Sequence, residues 1–230
     1  MGINAHPDDE SSYSGTIAKF ANEGHDATLV YVTSGDKGHT TIPPNELTRI
    51  REKETLNACK ILGASAMFLR VPDHEIFDNY DVEHKVIEAM RKVNPNIVIT
   101  HDPNDYDRDH WTTSHIVLQC VNSASLKHYK TKSPAIEKID AVYFCDTVGG
   151  LHFDPELWID ITDTFDGKIK ALKAHESQLK FMKDLFDMDM VDFHTVTASF
   201  RGMQASTKYA EAFRRFRVYP HIRASASLPK

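Results

Sequence analysis

The chain is expected to be α/β, a single domain built on a mainly parallel sheet with helices on both faces. Three observations predict this. Short β-rich runs alternate with longer amphipathic stretches, the pattern of βα units. Two strand candidates, Leu29-Val30-Tyr31-Val32 and Ile97-Val98-Ile99, are continuously apolar rather than alternating, as strands buried on both faces are. A length of 230 residues supports one large core and is short for two ordinary domains.

Taken in order, strands are expected near residues 2–5, 28–33, 67–71, 97–100, 141–144 and 157–161. Helices are expected near 12–22, 46–62, 82–93, 111–123 and 163–179, with a further helix near 208–215. The polar, basic stretch 127–138 contains Pro134 and reads as a surface connection within the domain. Residues 224–230 read as a frayed tail. No internal repeat, low-complexity segment or linker divides the chain, so one domain is assigned to 1–230.

Composition narrows the function classes. The chain is 41% hydrophobic and 26% charged with a formal net charge of −6. The negative sign argues against a general nucleic-acid binder, which carries a basic excess. No run of about 18 apolar residues is present, so no membrane span is expected. No basic and apolar leader is visible, so a cytoplasmic location is expected. Cys59, Cys120 and Cys145 are far apart and form no CxxC pair, which fits small buried residues in a reducing compartment.

Ligands of open α/β sheets gather outside the carboxyl ends of the strands, and the chemistry-bearing residues fall there. The first strand runs into Ala5-His6-Pro7-Asp8-Asp9-Glu10. Pro7 fixes its own φ and keeps His6 out of the helical region, so a stiff turn can aim His6 and Asp9 at one point with Asp8 beside them. Imidazole and carboxylate together suit zinc, and catalytic zinc keeps an open position. The competing reading is that these acids cap the next helix. The fourth strand runs into His101-Asp102-Pro103-Asn104-Asp105-Tyr106-Asp107-Arg108-Asp109-His110. His110 is the candidate third ligand, with His101 and His115 as competitors. His115 follows His110 by five residues and does not share its helical face. Arg51 and Glu54 fall inside the apolar stripe of helix 46–62. Either they pair with each other, or the helix faces the site and Arg51 holds a substrate oxygen. Gly35-Asp36-Lys37-Gly38 and Val71-Pro72-Asp73 also end strands but consist of ordinary turn residues. No GxGxxG, Walker, GxSxG or HExxH sequence is present, so no dinucleotide cofactor is expected.

In these motifs the chain resembles the PIG-L / LmbE-like N-deacetylases, which act on acetylated glucosamine derivatives. The similarity is carried by Ala5-His6-Pro7-Asp8-Asp9, Val32-Thr33-Ser34-Gly35-Asp36-Lys37-Gly38, Arg51-x-x-Glu54 with Leu62-Gly63, Pro72-Asp73, Asp109-His110, His175-x-Ser177-Gln178, and Tyr209-Ala210-Glu211-Ala212-Phe213. The resemblance implies a Rossmann-like three-layer sandwich, possible homo-oligomers and Zn2+ as cofactor. It implies His6, Asp9 and His110 as metal ligands and Asp8 as general base. Arg51, Asp36 and Asp73 would contact substrate, and Asp109, Asp107 and Glu54 would surround the ligands. The reaction it implies is removal of an N-acetyl group from a small-molecule amino-sugar derivative, giving amine and acetate, with Asp8 both taking and returning the proton. Hydrolysis of another amide on the same fold is the alternative, and a protein with a structural metal a third reading. One departure stands out: Asp107 occupies a position where many members carry a histidine that helps stabilise the oxyanion.

Overall fold

The computed structural model describes residues 1–218; the tail expected at 224–230 lies outside them. One sheet of seven strands runs in the order β3-β2-β1-β4-β5-β7-β6. The strands are β1 Gly2–Asn4, β2 Thr28–Thr33, β3 Ser65–Val71, β4 Ile97–Thr100, β5 Ala141–Cys145, β6 Leu157–Asp160 and β7 Ala210–Arg215. The helices are α1 Ser14–Asn22, α2 Pro44–Leu62, α3 Tyr80–Val93, α4 Arg108–Ser123, α5 Phe165–Lys173, α6 Glu176–Phe186 and α7 Met190–Gln204. No helix among the described residues is long and apolar enough to cross a membrane.

Strands β1 to β5 pair in parallel. β7 then inserts antiparallel to both β5 and β6, so the sheet as a whole is mixed. Strand β2 shows why the first half needed continuous apolar runs. Successive side chains point to opposite faces. Leu29 and Tyr31 join one core with Ile17, Ala58 and Leu62, while Val30 and Val32 join the other with Val86, Met90 and Ile116.

Local chemistry sets several helix ends. Pro44 occupies the first turn of α2 and Gly63 closes it at φ 70°, the left-handed conformation glycine adopts freely. Asn79 caps α3, Asp107 caps α4 and Asp189 caps α7, each accepting from two backbone N–H groups.

Two expectations in the C-terminal part are corrected. The helix expected near 208–215 is strand β7: Ala210, Ala212 and Phe213 are buried between β5 and β6, so sheet pairing overrides the helical preference of Ala and Glu. The single helix expected over 163–179 is two, α5 and α6. The break falls at His175 (φ −85°, ψ 56°), whose ring turns inward to Glu10 at 2.7 Å. Helix α7 was not anticipated, because its Val, Thr and Phe content favours strands locally.

The topology fixes where a site can form. From β1 the chain winds outward through β2 and β3, then returns to place β4 on the other side of β1. The strand order therefore reverses between β1 and β4, and a crevice opens at their carboxyl ends.

Candidate metal centre

The connection after β1 forms a tight turn into a short 3-10 helix, Asp9–Ser12. The His6 N–H donates to Asp9 Oδ2 at 2.6 Å, which fixes the carboxylate beneath the turn. Asp8 sits at φ 112°, a conformation that costs an L-residue about 1–3 kcal/mol and persists only when its surroundings enforce it. Arg51 enforces it. Its guanidinium donates to the Pro7 carbonyl, to Asp8 Oδ1 at 2.7 Å and to the Gly35 carbonyl at 3.2 Å. Gly35 and Gly38 make room for that side chain: a Cβ on Gly35 would lie 2.7 Å from Arg51 Nε, and one on Gly38 2.9 Å from Nη1. Asp8 makes no side-chain helix cap, so the capping alternative does not describe it.

Asp9 is ringed by imidazoles. His6 Nδ1 lies 3.5 Å from Asp9 Oδ2, His101 Nε2 3.2 Å from the same oxygen, and His110 Nε2 3.3 Å from Oδ1. One donor atom each from His6, Asp9 and His110 lie within 4.8 Å of one another, and the same holds for His101, Asp105 and His110. The two groups are not equivalent. His101 Nε2 already accepts the Ala5 N–H at 2.9 Å, so its lone pair is committed, and burial, followed by the neighbouring His110, lowers its pKa. Burial also opposes charge on His6, but the Asp9 and Asp109 carboxylates outweigh it and hold the ring up at about 10. Burial pushes Asp9 up, yet His110, His6 and His101 hold it well below the usual carboxylate range. The cluster thus gathers protons around one carboxylate where a cation would supply the same charge. Two imidazoles and a carboxylate at this spacing fit a borderline cation such as zinc.

The connections behind the cluster orient it. Asp109 is fully buried, with Oδ2 3.3 Å from His6 Nε2 and accepting the His74 N–H at 2.7 Å. Asp105 Oδ2 lies 3.2 Å from His110 Nδ1, though that approach lacks hydrogen-bond alignment. Asp107 caps α4 by accepting from Asp109 N at 2.8 Å and His110 N at 3.3 Å. Asp73 accepts from Gly35 N and Lys37 N, and Asp36 accepts from Asp73 N; these two acids lock the β2 and β3 connections together. Arg51 and Glu54 do not pair. Glu54 instead accepts from the backbone and hydroxyl of Ser177. His115 is exposed and meets Trp111 edge-on, away from the cluster.

Several pairings could not be assigned from the sequence. Glu211 of β7 accepts from Gly15 N at 2.9 Å and Thr16 N at 2.7 Å, and pairs with Lys168 at 2.6 Å, whose ammonium also reaches the Ser11 carbonyl. Asp146 receives a bidentate Arg201 at 2.6 and 2.9 Å. These partners are between 43 and 196 residues apart, and no local signal links them. An open cleft of about 670 Å³ runs from Asp8, Asp9 and His110 to a far wall that includes Phe193, His194 and Thr197 of α7. Burial and Lys168 push His194 down to about 3, so that wall presents a neutral imidazole.

An α/β fold with a partly buried His/Asp/His cluster at the β1/β4 crevice is the arrangement of a metal-dependent hydrolase. Residues 1–121 match the PIG-L family, described as GlcNAc-PI de-N-acetylase. The chain belongs to that family. It is 28% identical over 220 residues to the diacetylchitobiose deacetylase of Thermococcus kodakarensis, covering 92% of this chain and 80% of that protein. Among solved structures, N,N'-diacetylchitobiose deacetylase from Pyrococcus horikoshii superposes with a TM-score of 0.82 at 26% identity, over 94% of this chain and 82% of that one. The 4-carboxy-2-hydroxymuconate hydratase GalB of Pseudomonas putida KT2440 gives a TM-score of 0.82 at 23% identity, over 99% and 98%. That last likeness shows the fold alone, and a fold by itself does not select a reaction.

Proposed function

We propose that the chain is a zinc-dependent hydrolase that removes an N-acetyl group from an N-acetylglucosamine-type small molecule. The observation that carries this reading is the convergence of His6, Asp9 and His110 within 4.8 Å, beside a carboxylate, Asp8, held by Arg51. The diacetylchitobiose deacetylase likeness supplies the substrate class. Hydrolysis of another amide remains the alternative, on the same residues. The whole of 1–230 is read as one Rossmann-like three-layer domain acting in the cytoplasm, in keeping with three buried free cysteines, with homo-oligomers expected from the family resemblance.

His6, Asp9 and His110 would hold the zinc, which when bound polarises the acetamide carbonyl and acidifies a water. Asp109 orients His6 as a carboxylate behind a metal-binding imidazole does, and Asp105 lies 3.2 Å from His110 Nδ1. Asp8 takes the proton from the attacking water. Burial raises its pKa, Arg51 pulls the other way and Asp9 adds to the rise, leaving it at about 6. A base so placed is ionised at neutral pH yet close enough to it to accept a proton efficiently. Asp8 Oδ1 is engaged by Arg51, which leaves Oδ2 for the transfer. Arg51, 2% exposed with both terminal nitrogens engaged by protein, acts by positioning Asp8 rather than by touching substrate. Asp36 and Asp73 likewise act by bracing the loops.

The test is a panel of N-acetylglucosamine derivatives assayed for released amine with the zinc-loaded chain, alongside metal analysis. Amine release that depends on zinc is expected. Zinc binding without release from any acetylated amine would remove the deacetylase reading.

A further inference from the structure

Four histidines around the cluster are held by protein groups. His6 lies between Asp9 and Asp109, His110 between Asp9 and Asp105, His101 on the Ala5 amide and His175 on Glu10. His74, in the connection after β3, is different. Its backbone is held at φ 62° with its N–H on Asp109 Oδ2 at 2.7 Å. Its ring Nδ1 stands 3.8 Å from the same oxygen, and its side chain is 67% exposed. Asp109 is 0% exposed, and its other oxygen, Oδ1, has no hydrogen-bond partner among the described residues. One buried carboxylate therefore lies against both His6 and a solvent-facing imidazole.

A hydrolysed amide needs a proton on the departing nitrogen as well as a base for water. Giving both tasks to Asp8 leaves one free oxygen to serve both, since Oδ1 is bound to Arg51. Asp107 Oδ1 is taken up by the two backbone N–H groups that open α4.

Building on the deacetylase reading, we propose that His74 is a catalytic residue that protonates the departing amine. As the C–N bond breaks, the imidazolium gives its proton to the nitrogen, one proton of the water rests on Asp8, and the acyl group leaves as acetic acid, which gives its remaining proton to solvent to become acetate. The exposed ring regains a proton from solvent and Asp8 loses one to it, so the cycle closes without a further reactant. Asp109, which accepts the His74 N–H at 2.7 Å and stands 3.8 Å from the ring, ties His74 to the same carboxylate that touches His6.

His74→Gly separates ring from backbone. Glycine adopts a positive φ without strain and keeps the N–H to Asp109, so folding and zinc content should be unchanged. Amine release from an N-acetylated amino sugar should fall by about 10²-fold or more, the range for a lost general acid. Imidazole added to the buffer should restore part of that rate. It should not raise the rate of His115→Ala, which removes an exposed ring outside the site and should match wild type. A His74→Gly rate equal to wild type overturns the proposal. So does a loss that imidazole leaves unrepaired and His74→Gln repairs. If wild-type chain releases no amine at all, the deacetylase reading fails instead. His74 is then judged by calorimetric binding of acetate to the zinc-loaded chain, which should weaken about tenfold in His74→Gly on losing a charge-assisted contact; unchanged acetate binding would show that the ring does not face the site.

Discussion

From β1 to α4 the proposed metal ligands and the side chains around them follow strand ends: His6, Asp8 and Asp9 follow β1, and Asp105 and the first turn of α4, with Asp109 and His110, follow β4. From β5 onward the charged side chains pair with one another or reach back to hold the first half in place: Lys168 with Glu211, Arg201 with Asp146, His175 with Glu10. The family match ends at residue 121, just short of the end of α4, so it covers the first of these regions. A parallel α/β half supplies donors at a crevice, and an antiparallel addition supplies braces and the far wall of the cleft. If that division is physical, substitutions in the two halves should fail differently.

The largest effects belong to the first half. His6→Ala, Asp9→Ala and His110→Ala should each strip bound metal, and elemental analysis of the purified variants decides it; full metal in His110→Ala would shift attention to His101. Asp8→Asn should keep metal and lower kcat by about 10²–10⁴ at matched metal content. Next come two buried ion pairs, one on each side of the division. Arg51→Ala and Lys168→Met each leave a buried carboxylate unpaired, and each should cost about 3–5 kcal/mol in denaturant titrations. The folded fraction should tell them apart: Arg51→Ala should also lose kcat through Asp8, whereas Lys168→Met should keep it. Equal kcat losses would erase the boundary between chemistry and support.

Smaller effects sharpen it. Asp107→Ala should destabilise by about 1 kcal/mol, as loss of a helix N-cap does, and lower kcat by about tenfold or less. Asp107→His should be tolerated in activity. The mildest test uses pH. Burial disfavours the charged form of His175, but Glu10 outweighs it and raises the folded pKa. A raised histidine stabilises fully below its unfolded pKa of about 6.5 and loses that contribution as pH climbs through the folded value. The stability difference between wild type and His175→Gln should therefore shrink as pH rises from about 6.5, read from denaturation midpoints. A difference that grows with pH would mean that the Glu10 contact does not govern the ring.

The same boundary separates what could be read in the sequence from what could not. Strands β1 to β5 and helices α1 to α4 announce themselves by apolar runs, helical spacing and punctuating Gly and Pro, all within short windows. His6, Asp9 and His110 were conspicuous because they follow apolar strands directly. Their partners were not. Asp105 is one of four aspartates between 102 and 109, and only the fold sets it against His110. Arg51 was visible as a misplaced charge on an apolar stripe, but its partner Asp8 lies 43 residues away rather than one turn along the helix. Past β5, local preference pointed the wrong way: Ala210-Glu211-Ala212 favours a helix until two neighbouring strands claim its hydrogen bonds.

The carboxylate of Glu211 has a consequence for how the chain matures. It bonds the amides that open α1 across 195 and 196 residues of sequence, and Lys168, itself tied to Glu211, grips the Ser11 carbonyl. On a ribosome, β1 through β5 emerge and can assemble while β7 is still unmade. During that interval the turn carrying Asp8 and Asp9 lacks its rear anchor, and its strained backbone has less to hold it. Metal capture should therefore come late in biosynthesis, after the last strand has threaded between β5 and β6, and a nascent chain stalled before residue 211 should bind the ion poorly even with every proposed ligand already synthesised.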